Sequence, residues 1–183
     1  MAVDATMTAR APNIAAMIRV DHAGEMGAAR IYAGQLAVMG DRHPLAREIG
    51  RMAAQEQRHL DAFDRLIVER GVRPTLLAPL WDAAGFALGA ATALMGPRAA
   101  MACTVAVETE IDRHYQQQRD ALGDGDPALA ALIADFQADE AEHRETARAH
   151  GAGRADARNP PPSARRACPW RFGRREWPRF RPG

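Results

Sequence analysis

The sequence carries the same pattern of glutamate and histidine residues twice. In each half a lone glutamate precedes a Glu-x-x-His motif, by 31 residues in the first half and by 32 in the second. The six residues are Glu25, Glu56 and His59, followed by Glu108, Glu140 and His143. Residues three apart on an α-helix project side by side, so each motif would present a carboxylate and an imidazole as a pair. The repeat favours folds in which helices bring these side chains together.

The composition favours helices over strands. Ala, Leu, Met, Glu and Arg are abundant, whereas aromatic residues make up only 5% of the chain. Five helical segments are predicted, at about residues 11–39, 44–69, 75–95, 98–122 and 128–149. No stretch alternates with period two for long enough to predict a strand. Because short links favour antiparallel neighbours, the predicted fold is all-α: a ferritin-like antiparallel four-helix bundle with an additional apolar helix, segment three (residues 75–95).

The motif residues fall on apolar helical faces. Glu56 and His59 share one face with Met52, Phe63 and Ile67, because all five follow steps of three and four residues. The other four residues of the pattern interrupt apolar stripes in the same way. All six are therefore predicted to point into the core.

Four buried carboxylates need positive charge close by. An unpaired buried carboxylate costs several kcal/mol, and converging carboxylates shift one another towards the neutral form. Two divalent cations would cancel four negative charges, and mixed oxygen and nitrogen ligands suit iron or manganese better than calcium or structural zinc. A single Glu-x-x-His usually marks a solvated helix face. The second copy, the apolar surroundings and the matched spacing favour a pair of metal ions instead.

Other polar residues are weaker candidates. Asp21 lies one turn before the first lone glutamate, and a hydrogen bond to a metal ligand is one interpretation of that position. His114 is either a similar supporting residue or a histidine at the solvent or core edge. His22, His43 and His150 are expected at the surface or in turns.

Charge is distributed unevenly along the chain. The net charge of +1 predicts no nucleic-acid partner, but residues 1–147 hold 14 arginines against 21 acidic residues, and residues 148–183 hold 10 against 2. We expect a helical di-metal domain over residues 1–150 and a poorly ordered, Arg- and Pro-rich basic tail over residues 151–183. The two cysteines form no CxxC pair, and no basic segment followed by an apolar run marks a secretory signal.

Segment three raises the question of membrane contact. Its 21 residues contain one charge, Asp82, and are long enough to cross a bilayer. Pro79 and the many Ala and Gly residues make the segment only mildly apolar, which argues against spanning. A buried helix, or one at the membrane interface, is preferred.

Three stretches closely resemble the demethoxyubiquinone hydroxylase family. They are IRVDHAGEMGAARIYAGQLAVMG at residues 18–40, RPTLLAPLWDAAGFALGAATALMG at 73–96 and AMACTVAVETEIDRHY at 100–115, within a resemblance over about residues 15–150. The resemblance implies that the six residues of the repeated pattern bind two iron ions per chain. It also implies that Glu56 and Glu140 bridge the two ions. Each ion is then also bound by one of the other two glutamates and by one histidine.

The resemblance also implies an activity. The family hydroxylates a polyprenylated demethoxyubiquinol with dioxygen during ubiquinone biosynthesis. We therefore expect peripheral contact with the cytoplasmic side of the cell membrane and entry of the polyprenyl chain along segment three. A family His-Tyr pair, here His114 and Tyr115, is expected to help electron delivery. Other ubiquinone-biosynthesis proteins are candidate partners, and the oligomeric state is left open.

The tail departs from the family pattern. Family members continue into a further apolar helix after the second Glu-x-x-His, and residues 151–183 replace that helix here. A divergent end and a change of reading frame both explain this difference. Three other functions compete with the hydroxylase: an iron-storage protein of ferritin type, a peroxide-consuming di-metal enzyme, and a membrane-surface module anchored by the basic tail.

Overall fold

The computed structural model describes residues 13–152, which form five α-helices and no strand. The helices are α1 (Ile14–Met39), α2 (Ala46–Glu69), α3 (Ala78–Leu94), α4 (Pro97–Leu122) and α5 (Pro127–Ala147). A π-helical turn, Arg148–Ala152, follows α5. The predicted all-α fold is confirmed, and each predicted segment corresponds to one helix. The predicted basic tail lies outside the described residues apart from its first two.

Local capping sets where two of the helices begin. Asn13 precedes α1 and Asp126 precedes α5, and each side chain accepts a hydrogen bond from the backbone N–H three residues later, at 3.0 and 3.1 Å. Pro127, at the first position of α5, loses no helical hydrogen bond because that N–H would have no partner. The cap at Asn13 explains why α1 begins at residue 14 rather than near residue 11.

Two apolar clusters show that neighbouring bundle helices run antiparallel. The first joins Met17 at the start of α1 to the ends of α2 and α4 and to the start of α5. The second joins Tyr32, further along α1, to the starts of α2 and α4 and to the end of α5. Helices α2 and α4 therefore run in the same direction, and α3 is the crossover connection between them. The other four helices form the bundle.

Helix α3 lies outside this bundle, against α1 and α4. Glycines allow its backbone to approach α1 closely. A Cβ atom on Gly89 would lie 1.9 Å from the carbonyl oxygen of Ile31, and one on Gly34 would lie 2.2 Å from that of Phe86. Any larger side chain at these two glycines would force the helices apart.

The outward side of α3 and the loop before it are apolar. Leu76 is 97% exposed and Leu80 is 58% exposed, and further exposed apolar side chains are Leu77, Phe86, Leu94 and Met95. Large exposed apolar surfaces commonly mark interaction sites. Among the helices of residues 13–152, none combines the length and the apolarity needed to cross a membrane.

Candidate metal centre

The four bundle helices bring the six residues of the repeated pattern together. Helix α1 contributes Glu25, α2 contributes Glu56 and His59, α4 contributes Glu108, and α5 contributes Glu140 and His143. Each of the six residues is at most 1% exposed. They lie between the two apolar clusters, because each helix carries them midway between its contributions to the two clusters.

The potential ligand atoms form two groups that share two glutamates. One group contains Glu25, Glu56, His59 and Glu140, and the other contains Glu56, Glu108, Glu140 and His143. Within each group the ligand atoms lie within 4.8 Å of one another. Each group could hold one metal ion, and the shared residues Glu56 and Glu140 face both positions.

Many atoms of this cluster have no hydrogen-bond partner. Both carboxylate oxygens of Glu56 and of Glu140 are unpaired, as are one oxygen of Glu25, one of Glu108, and Nδ1 of each histidine. Buried polar atoms normally find partners, so eight unpaired atoms around one interior require an explanation. Divalent cations would satisfy them. The mixture of carboxylate oxygen and imidazole nitrogen fits iron or manganese.

Crowding shifts the protonation of the cluster. Burial and the neighbouring Glu140 raise the pKa of Glu56 and of Glu108 well above the usual range. Burial also acts on Glu140, but the imidazoles of His143 and His59, whose Nδ1 atoms lie 3.4 and 3.2 Å from its carboxylate, outweigh it and lower the pKa of Glu140 to about 2. Burial opposes a charge on His59, yet the carboxylates of Glu140 and Glu25 raise the pKa of His59 to about 10. Metal ions entering the cluster would therefore displace protons.

The outward nitrogen of each histidine has a partner that the sequence analysis missed. His59 Nε2 lies 3.0 Å from Asp139 Oδ2, and His143 Nε2 lies 3.1 Å from Gln55 Oε1. Metal-binding histidines are usually held in this way by a carboxylate or a carbonyl group. Gln55 and Asp139 each directly precede the glutamate of a Glu-x-x-His motif, but each contacts the histidine of the other motif. The sequence alone did not reveal that each residue contacts the histidine of the other motif.

Two buried tyrosines hold the two unshared glutamates. The Tyr32 hydroxyl donates to Oε1 of Glu108 at 2.6 Å, and the Tyr115 hydroxyl donates to Oε1 of Glu25. Burial and nearby carboxylates raise the pKa of both phenols well above the usual value, so both remain donors. Each tyrosine lies seven residues after a glutamate of its own helix, yet it bonds the glutamate of a neighbouring helix. The seven-residue spacing can be read from the sequence, but which glutamate each tyrosine bonds can be read only from the structure.

Asp21 contacts two polar residues of α4. Its Oδ1 accepts a hydrogen bond of 2.6 Å from Gln118 Nε2 and lies 3.0 Å from His114 Nε2, while its Oδ2 has no partner. The Asp21 side chain therefore makes no hydrogen bond to any of the six candidate ligands, and the structure does not support the interpretation that it does. His114, whose side chain is 15% exposed, lies at the edge of the core.

The expectation that His22 lies at the surface is wrong. The residue is only 7% exposed, and its Nε2 lies 2.9 Å from Oδ1 of Asp64 on α2, which offsets the cost of burying the ring. His43 lies in the turn before α2, and the exposed His150 lies in the turn after α5, as predicted.

Two helices of this all-α bundle each contribute a glutamate, and the other two each contribute a Glu-x-x-His motif. This arrangement defines the class of helix-bundle carboxylate proteins, whose interior can hold two metal ions. The family model for "Ubiquinone biosynthesis protein COQ7" matches residues 12–165 of this chain. The chain belongs to this family. The match extends into the region predicted as a tail.

Curated relatives in this family are named as hydroxylating enzymes. The 3-demethoxyubiquinol 3-hydroxylase of Rhodospirillum rubrum is 54% identical over 150 residues, which cover 80% of this chain and 71% of that protein. The mitochondrial NADPH-dependent 3-demethoxyubiquinone 3-hydroxylase of Mus musculus is 51% identical over 145 residues, or 77% of this chain and 66% of the relative. The Caenorhabditis elegans protein of the same name is 40% identical, with 83% of each chain covered. The chain is thus a member of an enzyme family.

Proposed function

We propose that this protein hydroxylates the ring of a polyprenylated demethoxyubiquinol with dioxygen, using two iron ions bound by the six clustered residues. The observation that carries the proposal is the pair of buried ligand groups that share Glu56 and Glu140. The names of the relatives supply the substrate class. In this assignment Glu25 and His59 complete one iron position, and Glu108 and His143 complete the other.

The residues of the cluster have separable tasks. Glu56 and Glu140 belong to both ligand groups and would hold both ions, and Nδ1 of each histidine would be the ligand atom because Nε2 is engaged outside the cluster. Tyr32 bonds one oxygen of Glu108 and leaves the other oxygen free to face a metal. Iron held by these residues would supply the activation of dioxygen. With two electrons from a reductant and two protons, one oxygen atom would enter the ring as a hydroxyl group and the other would leave as water.

Apolar side chains close one end of the centre. The ring of Phe136 stacks on His59 with 4.0 Å between ring centroids, and Phe63 packs edge-on against Phe136. Ile133 and Leu129 are at most 1% exposed in the same cluster. This packing excludes water from the ligands and fixes the ring orientation of His59, so that oxygen chemistry would take place away from bulk solvent.

We propose that the polyprenyl tail reaches the centre along α3. The exposed apolar side chains around Leu76 and Leu80 could contact lipid, and α3 packs on α1 and α4, the helices that carry Glu25 and Glu108. The corresponding location is the cytoplasmic side of the cell membrane, with peripheral contact. This arrangement suits a substrate whose tail resides in lipid while its ring reacts in the protein.

Electron delivery is assigned to His114 and Tyr115. Tyr115 donates its hydroxyl hydrogen bond to Glu25, and His114 lies beside Asp21 at the edge of the core. The two neighbouring residues therefore link a partly exposed ring to a candidate ligand.

Metal content measured together with turnover tests the proposal. Purified full-length protein should contain about two iron ions per chain and should hydroxylate a demethoxyubiquinol only with dioxygen and a reductant. Glu140→Ala should abolish both properties, whereas Glu142→Ala, a matched change at an exposed position on α5, should preserve them. Iron far above two per chain without quinol turnover would favour a storage protein. Peroxide consumption without quinol would favour a peroxide-consuming enzyme, and membrane binding as the only function, unaffected by Glu140→Ala, would favour a membrane module.

A further inference from the structure

Gln55 and Asp139 join the two histidines of the cluster through one chain of hydrogen bonds. Asp139 Oδ2 contacts His59 Nε2 at 3.0 Å, and Gln55 Oε1 contacts His143 Nε2 at 3.1 Å. Gln55 Nε2 also donates to Asp139 Oδ1 at 3.3 Å, which closes the chain between α2 and α5. The two outward partners thus occupy equivalent positions but differ in charge.

These hydrogen bonds fix the orientation of the Gln55 side-chain amide. Asp139, which lies 3.5 Å from the guanidinium group of Arg58, is a carboxylate and can only accept hydrogen bonds. Gln55 must therefore turn its NH₂ group to Asp139 and its oxygen to His143. Both imidazoles then donate through Nε2, so each Nδ1 faces the cluster and offers its lone pair to a metal ion that displaces any proton there.

The two ligand groups have the same kinds of ligand and differ in this outer contact. Each group has three glutamates and one histidine, and in each the unshared glutamate accepts a hydrogen bond from a tyrosine. His59, however, donates to a negative carboxylate, whereas His143 donates to a neutral amide. A carboxylate acceptor makes the imidazole a stronger electron donor to a metal than an amide acceptor does.

We propose that the two metal positions have unequal affinity. The position completed by Glu25 and His59 binds a divalent cation more tightly and fills first. The position completed by Glu108 and His143 fills second and loses its ion first. This inference rests on the metal centre of the proposed function and adds an order of loading, set by Asp139 and Gln55. Both are positioning residues, because they act through the histidines.

Titration of the full-length, metal-free protein with Co²⁺ tests the order. Visible absorption of bound cobalt reports each step, and competition with a chelator gives the two dissociation constants. We expect two steps that differ by about tenfold or more, because changes to such outer partners alter metal affinity by about 10–100-fold. His59→Gln should remove the tighter step, and His143→Gln should remove the weaker one.

Exchanging the two outer partners provides the sharper test. Asp139→Asn should weaken the tighter step by about 10–100-fold and bring the two steps together. The double variant Gln55→Glu with Asp139→Asn keeps the chain of hydrogen bonds but moves the negative charge from the partner of His59 to the partner of His143. In this double variant, His143→Gln should then remove the tighter step. The double variant also allows the test if Asp139→Asn alone does not fold. Asp135→Asn and Gln57→Glu, matched changes at exposed positions on the same helices, should leave both steps unchanged.

The outcomes separate this inference from the proposed function. Two cobalt ions bound with equal affinity in the unaltered protein would overturn the unequal positions and leave the metal centre intact. Equal weakening of both steps by Asp139→Asn would also overturn the inference. No cobalt binding at all would overturn both proposals.

Discussion

The hydroxyl group of Tyr32, on α1, donates a hydrogen bond of 2.6 Å to Oε1 of Glu108, on α4, across the interior of the bundle. The contact orients a candidate ligand from a neighbouring helix. Tyr32→Phe removes the donor and keeps the ring. We expect about tenfold weaker metal binding, because supporting hydrogen bonds of this kind contribute about 10–100-fold. Chelator competition would measure the change, and affinity within twofold of the unaltered protein would contradict this role.

Glu56→Gln should stabilise the metal-free protein and weaken its metal binding. Burial and three neighbouring glutamates raise the pKa of Glu56, so the metal-free fold accommodates this carboxyl group unfavourably. A neutral amide should raise the metal-free Tm, by about 2–4 °C for each kcal/mol gained. The variant should lose most of the stabilisation that metal provides, about 2.7 kcal/mol at 100 times Kd. Calorimetry with and without metal tests both halves, with the exposed Glu142→Gln as control.

Asp21 should make stability depend on pH. Burial raises the pKa of Asp21 from 3.8 to about 6 in the folded protein, despite the opposing effect of His114. The folded state therefore holds this proton more tightly than the unfolded chain does. The stabilisation is complete below pH 3.8 and is lost as the pH rises through 6, amounting to about 3 kcal/mol at most. Urea unfolding of metal-free protein should show a shallower fall between pH 4 and 7 in Asp21→Asn. Equal slopes in the two proteins would refute the assignment.

The apolar surface around α3 can be tested with a charge. Leu80→Arg places a cation on an exposed position, so folding should change little. Turnover of a long-tailed demethoxyubiquinol should fall severalfold more than turnover of a short-tailed analogue. Ala131→Arg, at an exposed position on α5, is the matched control. Equal loss on both substrates would remove the proposed entry route.

Paired glycine substitutions test the close packing of α3 on α1. Gly89→Ala would place a Cβ atom 1.9 Å from the Ile31 carbonyl oxygen, and we expect destabilisation by about 1–3 kcal/mol or more. Gly50→Ala, in the second turn of α2 with no atom within 4 Å of the added Cβ, should instead stabilise by about 0.5–1 kcal/mol. Denaturant unfolding of both variants measures the difference. The same sign for both would contradict the packing described here.

Several features of the centre could be predicted from the sequence because they are periodic. Glu56 and His59 repeat at helical spacing among apolar residues, and helical geometry places such residues on one buried face. The prediction that Glu25 and Glu108 join them used the nearly equal spacing of the two halves, 31 and 32 residues. The fold follows from the same periodicity, and the structure confirms it as an all-α bundle. The ligand roles of these residues remain a prediction.

The contacts between helices could not be predicted in this way. Tyr32 bonds Glu108 rather than Glu25 on its own helix, and Asp139 holds His59 rather than the histidine of its own motif. Such contacts depend on how far one helix is shifted along its neighbour and how it is rotated about its axis. Both are set by the packing of the whole core.

The sequence by itself determined the helices, their buried faces and the set of six candidate ligands, because each depends on intervals within one segment or between two matched halves. Only the tertiary structure decided which residues support which ligand, and that His22 is buried against Asp64. The physical reason is range: a helix is fixed by contacts three or four residues apart, whereas hydrogen bonds across a bundle depend on side chains that are distant in the chain.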